Sequence, residues 1–271
     1  MKAQRFLLAA SVCMLPIVFG GHRSPALAHG ETAALAELTR KAPHIAVVHV
    51  VGDLASPTGH RRVQLQLIQD LKGTLPGQLT LTAPTTPGLG CILASCRAGS
   101  RLLVFLHPTA DGFGPVHRSS SALPLAQQEV VDHVAALIRA DEEDPTGDTR
   151  RRTLVAGLFS SHPRVASDAA HALGVDRALS RLDGNGRTQL VTALEQSLGA
   201  TDRRLPGLLL AAGRLKLGAS TTLVAEAYVA GTAPRASGLA RRFLQSCPPE
   251  DVAMALEQRC TRRAALGING P

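Results

Sequence analysis

Aromatic residues are scarce in this sequence: they make up 3% of the chain, with no Trp and a single Tyr. Proteins that hold single-stranded nucleic acid stack its bases on aromatic side chains and line its backbone with dense positive charge. The net charge is +8, but no long basic run forms, and several of the arginines come in pairs. The composition therefore argues against nucleic-acid binding.

Recognisable catalytic frames are also missing. The chain has no HExxH zinc helix, no GxSxG nucleophile elbow and no Gly-rich phosphate loop with Lys. Ser160-Ser161-His162 and the segment His117–Ser121 place hydroxyls beside histidines. Neighbours in sequence rarely converge as catalytic groups, so we interpret both segments as turns or helix caps. We predict a non-enzymatic protein without a cofactor.

Long apolar runs are absent after the first residues. The best later candidate, Leu205–Val229, is interrupted by Arg214 and Lys216. A membrane-spanning helix needs roughly 20 consecutive apolar residues. We therefore predict no transmembrane span in the chain once its N-terminal segment is removed.

The N-terminal segment itself, residues 1–28, reads as a secretory signal peptide. Lys2 and Arg5 precede an uncharged stretch from Phe6 to Phe19, and Ala26-Leu-Ala28 supplies small residues for a cleavage site. An uncleaved anchor is the alternative. Cleavage removes three basic residues and no acidic one, which lowers the net charge from +8 to +5. We expect a periplasmic or secreted protein that begins at His29.

Four of the five cysteines lie beyond this signal: Cys91, Cys96, Cys247 and Cys260. An even number of cysteines in an exported chain indicates disulfides. The residues lie in two local pairs, which favours the bonds Cys91–Cys96 and Cys247–Cys260. A zinc site is the weaker alternative, because the spacing of the second pair is not typical of zinc ligands.

Residues 29–125 have the texture of a small β-domain. A short amphipathic helix, Ala33–Arg40, comes first. Strand-like runs of β-branched or alternating residues follow, separated by Gly and Pro: Ile45–Val51, Val63–Ile68, Leu79–Thr82 and Leu102–Leu106. Short strands at this spacing predict a small barrel or sandwich.

The second half of the chain is helical in pattern. Residues 126–149 contain an apolar stripe of helical period, Gln127–Asp141, and an acidic run that we interpret as an exposed linker. From residue 150 to 271 helices follow in pairs. The Pro-Arg dipeptides at Pro163 and Pro234 lie 71 residues apart, about two periods of 35. Asp183–Arg187 resembles a calcium loop but lacks the closing Glu, so we interpret it as a turn between helices.

Two family resemblances accompany these patterns. The order of Ile45–Gly52, Val63–Gly73 with its Leu-Lys-Gly, Gly77–Thr82, Cys91 and Ala98–Leu106 resembles the TIMP- and netrin-like OB-fold domains of bacterial exported proteins. The resemblance implies an OB-like barrel. Animal inhibitors of this group chelate a protease zinc through an N-terminal Cys, but His29 stands at that position here.

The helical half resembles HEAT repeats, most closely over residues 163–173 with Gly174 after them. This resemblance implies a surface for binding and no particular chemistry. The sequence as a whole predicts an α+β protein of two domains, in which a small OB-like β-barrel is followed by an α-helical HEAT-like solenoid.

These features predict an exported protein that binds or scaffolds a protein or envelope partner through its helical repeats. Arg204, Arg241 and Arg242 are the predicted contact residues, since Arg is favoured at interfaces. One alternative is inhibition of an exported protease through the OB-like domain. A second is copper binding by His29, whose α-amine and ring nitrogen would form a chelating pair at the mature N-terminus.

N-terminal sequencing of the protein recovered from expressing cells tests the export prediction. We expect His29 as the first residue, and we expect Ala28→Arg to leave the full-length chain uncleaved because the peptidase requires a small residue there. A first residue at Met1 in the exported protein would contradict cleavage.

Overall fold

A computed structural model describes residues 33–54, 61–83, 97–110, 112–117, 120–125, 127–198, 202–217, 222–224, 237–247, 249–250, 252–255 and 257. The predicted signal peptide, His29, Cys91, Cys96 and Cys260 lie outside these residues. The predicted cleavage, copper site and disulfides therefore stay predictions.

The described part is a mixed α+β structure, as the sequence predicts. Its elements, in chain order, are α1 (Leu35–Lys41), β1 (His44–Leu54), β2 (Arg61–Lys72), β3 (Gln78–Ala83), β4 (Arg101–Thr109), β5 (Gly112–Pro115), β6 (Ala122–Pro124), α2 (Gln128–Glu143), α3 (Asp148–Gly157), α4 (Pro163–Val175), a 3₁₀ turn (Leu179–Arg181), α5 (Gly184–Leu198), α6 (Leu205–Leu215) and α7 (Ser237–Ser246).

The six strands form one antiparallel sheet in the order β3-β2-β1-β4-β5. The outer edge of β4 is shared: β5 pairs with its second half and β6 with its first half. The pairing of β1 with β2 shifts register at three places. Such bulges bend and twist a sheet. The sheet curls into a half-barrel, and β3 comes into contact with β5.

Alternation along the strands gives the sheet two apolar faces. Ala46, Val48 and Val50 of β1 point into the half-barrel, whereas Ile45 and Val47 point to its outer side. Inside the half-barrel, the inward side chains of β1, β2, β3 and β4 pack against one another. The outer face is covered by helices α1 and α2, whose buried residues are Leu35, Leu38, Val130, Val131, Val134 and Ile138. The short first helix predicted from the sequence is thus confirmed, and it belongs to the outer layer.

The helices after α2 build a second core. Contacts run between α3 and α4, between α5 and α6, and extensively between α4 and α6. Leu154, Leu173, Leu194 and Leu208 are among the buried residues at the centre of this core. Helices α4 and α6 approach so closely because small residues face each other, with Gly207 lying against the backbone of Ala170.

The helix ends confirm the predicted caps. The ring nitrogen Nδ1 of His162 accepts a hydrogen bond from the amide of Arg164 at 3.2 Å, and Pro163 opens the first turn of α4. Ser160 and Ser161 donate to the carboxylate of Glu129. Asp183 accepts from the amide of Gly186 at 2.7 Å, so Asp183–Arg187 is the turn that begins α5. These hydroxyls, ring and carboxylate serve local structure.

Substituting Gly207 tests the close contact of α4 with α6. A Cβ atom there would lie 2.3 Å from the carbonyl carbon and oxygen of Ala170. Backbone cannot give way cheaply, so we expect Gly207→Ala to lower the free energy of unfolding by about 1–3 kcal/mol in urea denaturation.

Gly213, on the same helix, is the matched control. A Cβ atom there would meet only the ring of Phe243 at 3.5 Å, an ordinary contact. We expect Gly213→Ala to be neutral or to gain up to about 1 kcal/mol from helix propensity. Equal effects of the two substitutions would contradict the packing described above.

Candidate binding surface

A cleft of about 1040 Å³ opens where α1 meets the turn between α2 and α3 and the end of α4. Charged side chains from all three places form its walls. They are Glu37, Arg40, Lys41, Lys72, Asp141, Asp144, Arg150, Arg151, Asp176 and Arg177. The cleft therefore depends on how α1 is held against the helical core.

A buried ion pair on α4 fixes the start of α1. Asp168 accepts a hydrogen bond from the amide of Leu35 at 3.0 Å and one from Nε of Arg164 at 2.5 Å. Arg164 in turn donates through Nη2 to the carbonyl of Ala33 at 2.7 Å. The N-cap of α1, Ala34, has no side-chain cap of its own. Asp168 thus satisfies an amide that a helix N-terminus leaves unpaired.

The environment of Asp168 is largely apolar, since the residue is only 9% exposed. Burial raises the pKa of its carboxyl, while the charge of Arg164 and the two hydrogen bonds act in the opposite direction. Desolvation therefore favours the neutral carboxyl group of Asp168, whereas its partners favour the charged carboxylate. Removing Arg164 would leave the buried carboxylate of Asp168 without a counter-charge, and removing Asp168 would leave the amide of Leu35 without its acceptor.

Arg150 makes a second link to α1. Its guanidinium donates to the carbonyl of Ala36 and to the carboxylate of Asp141 near the end of α2. The nearby ring of His133, between α2 and α3, is kept neutral because burial and the charge of Arg150 lower its pKa to about 4. Three helices, α1, α2 and α3, are thus joined at one guanidinium.

The acidic run predicted as an exposed linker, residues 141–147, first completes α2 up to Glu143 and then forms a tight turn. Asp144 accepts from the amides of Thr146 at 2.9 Å and Thr149 at 2.7 Å. Gly147, with a φ of 80°, precedes α3 and offers no capping side chain. Asp144 fills that role, and its hydrogen bonds from Thr146 and Thr149 hold its pKa well below the usual range. The turn gives the cleft a defined wall.

Arg151 lies beneath this turn and is 5% exposed. It pairs with Asp148 and, at 3.5 Å, with Asp176, and it donates to the carbonyl of Thr146 at 3.2 Å. Within the described ranges its Nε has no hydrogen-bond partner. Two carboxylates balance its charge, so Arg151 is part of the cleft's framework.

Other cations at the cleft keep an unbalanced charge. Arg40 and Arg177 are exposed, and neither forms an ion pair with a described acidic residue. Lys72 donates to a backbone carbonyl, that of Thr39, at 2.9 Å. Lys41 pairs with Glu37, and this hydrogen bond lowers the pKa of Glu37. The lining as a whole holds six cationic and four acidic side chains, so its net charge is positive.

Next to the cleft lies an exposed apolar contact. Val175 at the end of α4 is 48% exposed, and Leu210 on α6 is 52% exposed. A Cβ atom built on Gly174 would lie 3.1 Å from the Cβ of Leu210, so Leu210 lies against α4 at the residue that precedes Val175. Arg214, one turn after Leu210, donates to the carbonyl of Asp176 at 3.1 Å.

We call this surface the α4–α6 face. It consists of His171, Val175, Arg177, Leu210 and Arg214. The first three residues also line the cleft, so the face and the cleft are continuous.

The arginines predicted as contact residues have different surroundings. Arg204 is half-buried: it donates to Asp202 through Nε at 2.8 Å and Nη2 at 2.6 Å, and to the carbonyl of Leu158 at 2.8 Å. Partial burial raises the pKa of Asp202, but the hydrogen bonds and charge of Arg204 outweigh it and lower that pKa. Arg204 thus ties the start of α6 to the end of α3.

Arg241 is an exposed residue of α7, and the surroundings of the Arg242 side chain lie outside the described residues. Helix α7 packs near Gly213 at the end of α6, whereas Arg204 stands before its start. Arg204 and Arg241 therefore lie near opposite ends of α6 and do not form one cluster.

The α4–α6 face is not evident from the sequence. Val175 and Arg177 directly follow the segment that resembles a HEAT repeat, and Leu210 belongs to the apolar run examined as a membrane span. Their exposure depends on Gly174 and Gly207, which bring α4 and α6 together. The glycine spacing was visible, but the partner helix was not.

A scan of protein-family models and a search of curated proteins found no match to this chain. Among the described helices none is long and apolar enough to cross a membrane. In the same part of the chain no three His, Cys, Asp or Glu side chains gather as a metal site would require.

Removing the buried ion pair tests whether it holds α1. We expect Asp168→Ala or Arg164→Ala to lower the free energy of unfolding by about 2–3 kcal/mol, less than the roughly 3–5 kcal/mol for a fully buried pair. The expected loss of stability is smaller than for a fully buried pair because the side chain of Arg164 is 24% exposed. Urea denaturation of the two variants measures the loss.

The double variant Asp168→Ala/Arg164→Ala should lose less than the sum of the single losses, since no unpaired charge remains. Arg139→Ala, an exposed position on α2, is the control and should change stability by no more than about 0.5 kcal/mol. Strict additivity of the two single variants would show that the pair does not act as a unit.

Proposed function

We propose that this chain is an exported, non-enzymatic binding protein that holds a protein partner on its helical half. The α4–α6 face carries the proposal. There, an exposed apolar pair, Val175 and Leu210, lies beside a cleft whose lining has a net positive charge. Interfaces typically combine a small apolar centre with a polar rim that is rich in Arg.

The internal pairing of the cleft supports a rigid recognition surface. Arg150 and Arg151 are each fixed by two or more hydrogen bonds, and Asp144 orders the turn above them. A surface whose side chains are already ordered loses less conformational entropy when a partner binds. The cleft can therefore act as a preformed site.

The proposal includes the HEAT-like and OB-like character of the two halves. The successive contacts of α3 with α4, α5 with α6, and α4 with α6 support stacked helix pairs. The curled five-strand order and the contact of β3 with β5 support a small barrel. Stacked helix pairs expose extended surfaces that bind other proteins.

Affinity capture from an envelope extract, with the full mature chain as bait, tests the function. We expect a partner that also binds the purified bait saturably in calorimetry, and we expect no capture by an unrelated exported protein of similar charge. The control addresses non-specific adsorption to a basic protein, since the mature chain carries a net charge of +5.

Two results would contradict the proposal. One is the absence of any saturable partner together with turnover of a substrate by the purified chain. The other is a recovered protease that the chain inhibits at stoichiometric amounts, which would assign the function to the OB-like half.

A further inference from the structure

We propose that the α4–α6 face and the adjoining cleft bind an acidic segment of the partner protein that carries aliphatic side chains. This inference rests on the proposed function and adds the surface and the chemistry of the occupant. The face offers apolar contacts through Val175 and Leu210 and positively charged contacts through Arg177 and Arg214.

The apolar contact is formed by Val175 and Leu210. Neighbours on the same helices, Leu173, Leu208 and Leu209, are buried in the core. Val175 and Leu210, in contrast, each leave about half of their surface exposed to solvent. An aliphatic side chain laid across the two would remove apolar surface from water on both sides.

The positive contact surrounds this pair. Arg177 and Arg214 flank it, and Arg40 and Lys72 stand across the cleft. Four acids also line the cleft. Glu37 pairs with Lys41, Asp141 with Arg150 and Asp176 with Arg151, while Asp144 accepts hydrogen bonds from the turn that follows it. Arg214 is held by the carbonyl of Asp176 at the end of α4, where a cation also suits the helix dipole. A carboxylate-rich segment complements this rim.

A protein segment fits the surface better than a lipid membrane does. The apolar pair lies beside a recess of about 1040 Å³, which can receive side chains from an extended or helical segment. Aromatic residues, which anchor proteins at the membrane interface, are absent from the face. Its apolar contact consists of two aliphatic side chains, too few for a membrane-inserted face.

A labelled synthetic peptide, in which a central Leu pair is flanked by Glu residues, is the probe. We expect saturable binding to the mature chain by fluorescence anisotropy, weakening with salt because the rim is exposed. Replacing Leu by Ser or Glu by Gln in the peptide should each weaken binding about tenfold or more.

Variants of the protein locate the site. Arg177→Glu/Arg214→Glu and, separately, Leu210→Ser should each weaken peptide binding about tenfold or more. The matched control is Arg152→Glu/Arg181→Glu, which reverses two exposed arginines at a different pocket and should leave the affinity within about twofold. Thermal denaturation of each variant checks that it folds.

The outcomes separate the inference from the function on which it rests. Equal losses in the face and control variants would overturn the inference, because they indicate attraction to overall charge. Binding to phosphatidylglycerol vesicles that depends on the face, with no peptide binding, would also overturn it. If the captured partner binds Arg177→Glu/Arg214→Glu normally, the inference fails while the proposed function stands.

Discussion

The placement of α1 depends on one buried ion pair, Arg164 with Asp168. Helix α1 has seven residues, too few to be stable alone in water. It is held on one side by the outer face of the sheet and on the other by the hydrogen bonds that Asp168 and Arg164 make to Leu35 and Ala33. The β-rich half and the helical half meet through this short helix and α2, and the cleft opens along the exposed side of α1.

The same helix that carries the ion pair also carries the proposed contacts. Asp168 lies near the start of α4, facing α1, while Val175 and Arg177 mark its end. Close packing of Gly207 against Ala170 sets the position of α6, and so places Leu210 against α4 at the residue that precedes Val175. The exposed apolar pair is thus a consequence of the small residues that let the two helices touch. Arg177 and Arg214 lie near this pair because α4 ends at Val175, and Arg214 donates to the carbonyl of Asp176 just beyond that end.

Local patterns in the sequence predicted most of the elements. Alternation and β-branched runs located β1 to β4, helical periodicity located α2 and α4, and the Pro after His162 marked a helix start. Side chains that act across the fold could not be predicted in this way. Asp168 reaches the amide of Leu35 over 133 residues of sequence, and no local pattern reports such a contact.

The predicted contact residue Arg204 illustrates the same limit. Arg204 is predicted as a contact residue because interfaces favour Arg, but Asp202 two residues earlier and the carbonyl of Leu158 after α3 take up its donors. Composition identifies Arg as an interface residue on average. Whether a given Arg is available depends on acids and carbonyls that the fold brings near it, as the exposed Arg177 and the buried Arg151 show.

Hydrogen–deuterium exchange of the mature chain, with and without its captured partner, tests the central claim most directly. Amides at helix ends and turns exchange measurably, so contacts there are visible as slower exchange. The account predicts that the partner slows exchange at the end of α1, at residues 144–147, and at the ends of α4 and α6. Slowing confined to strands β1, β2 and β3, with no change at these sites, would contradict it.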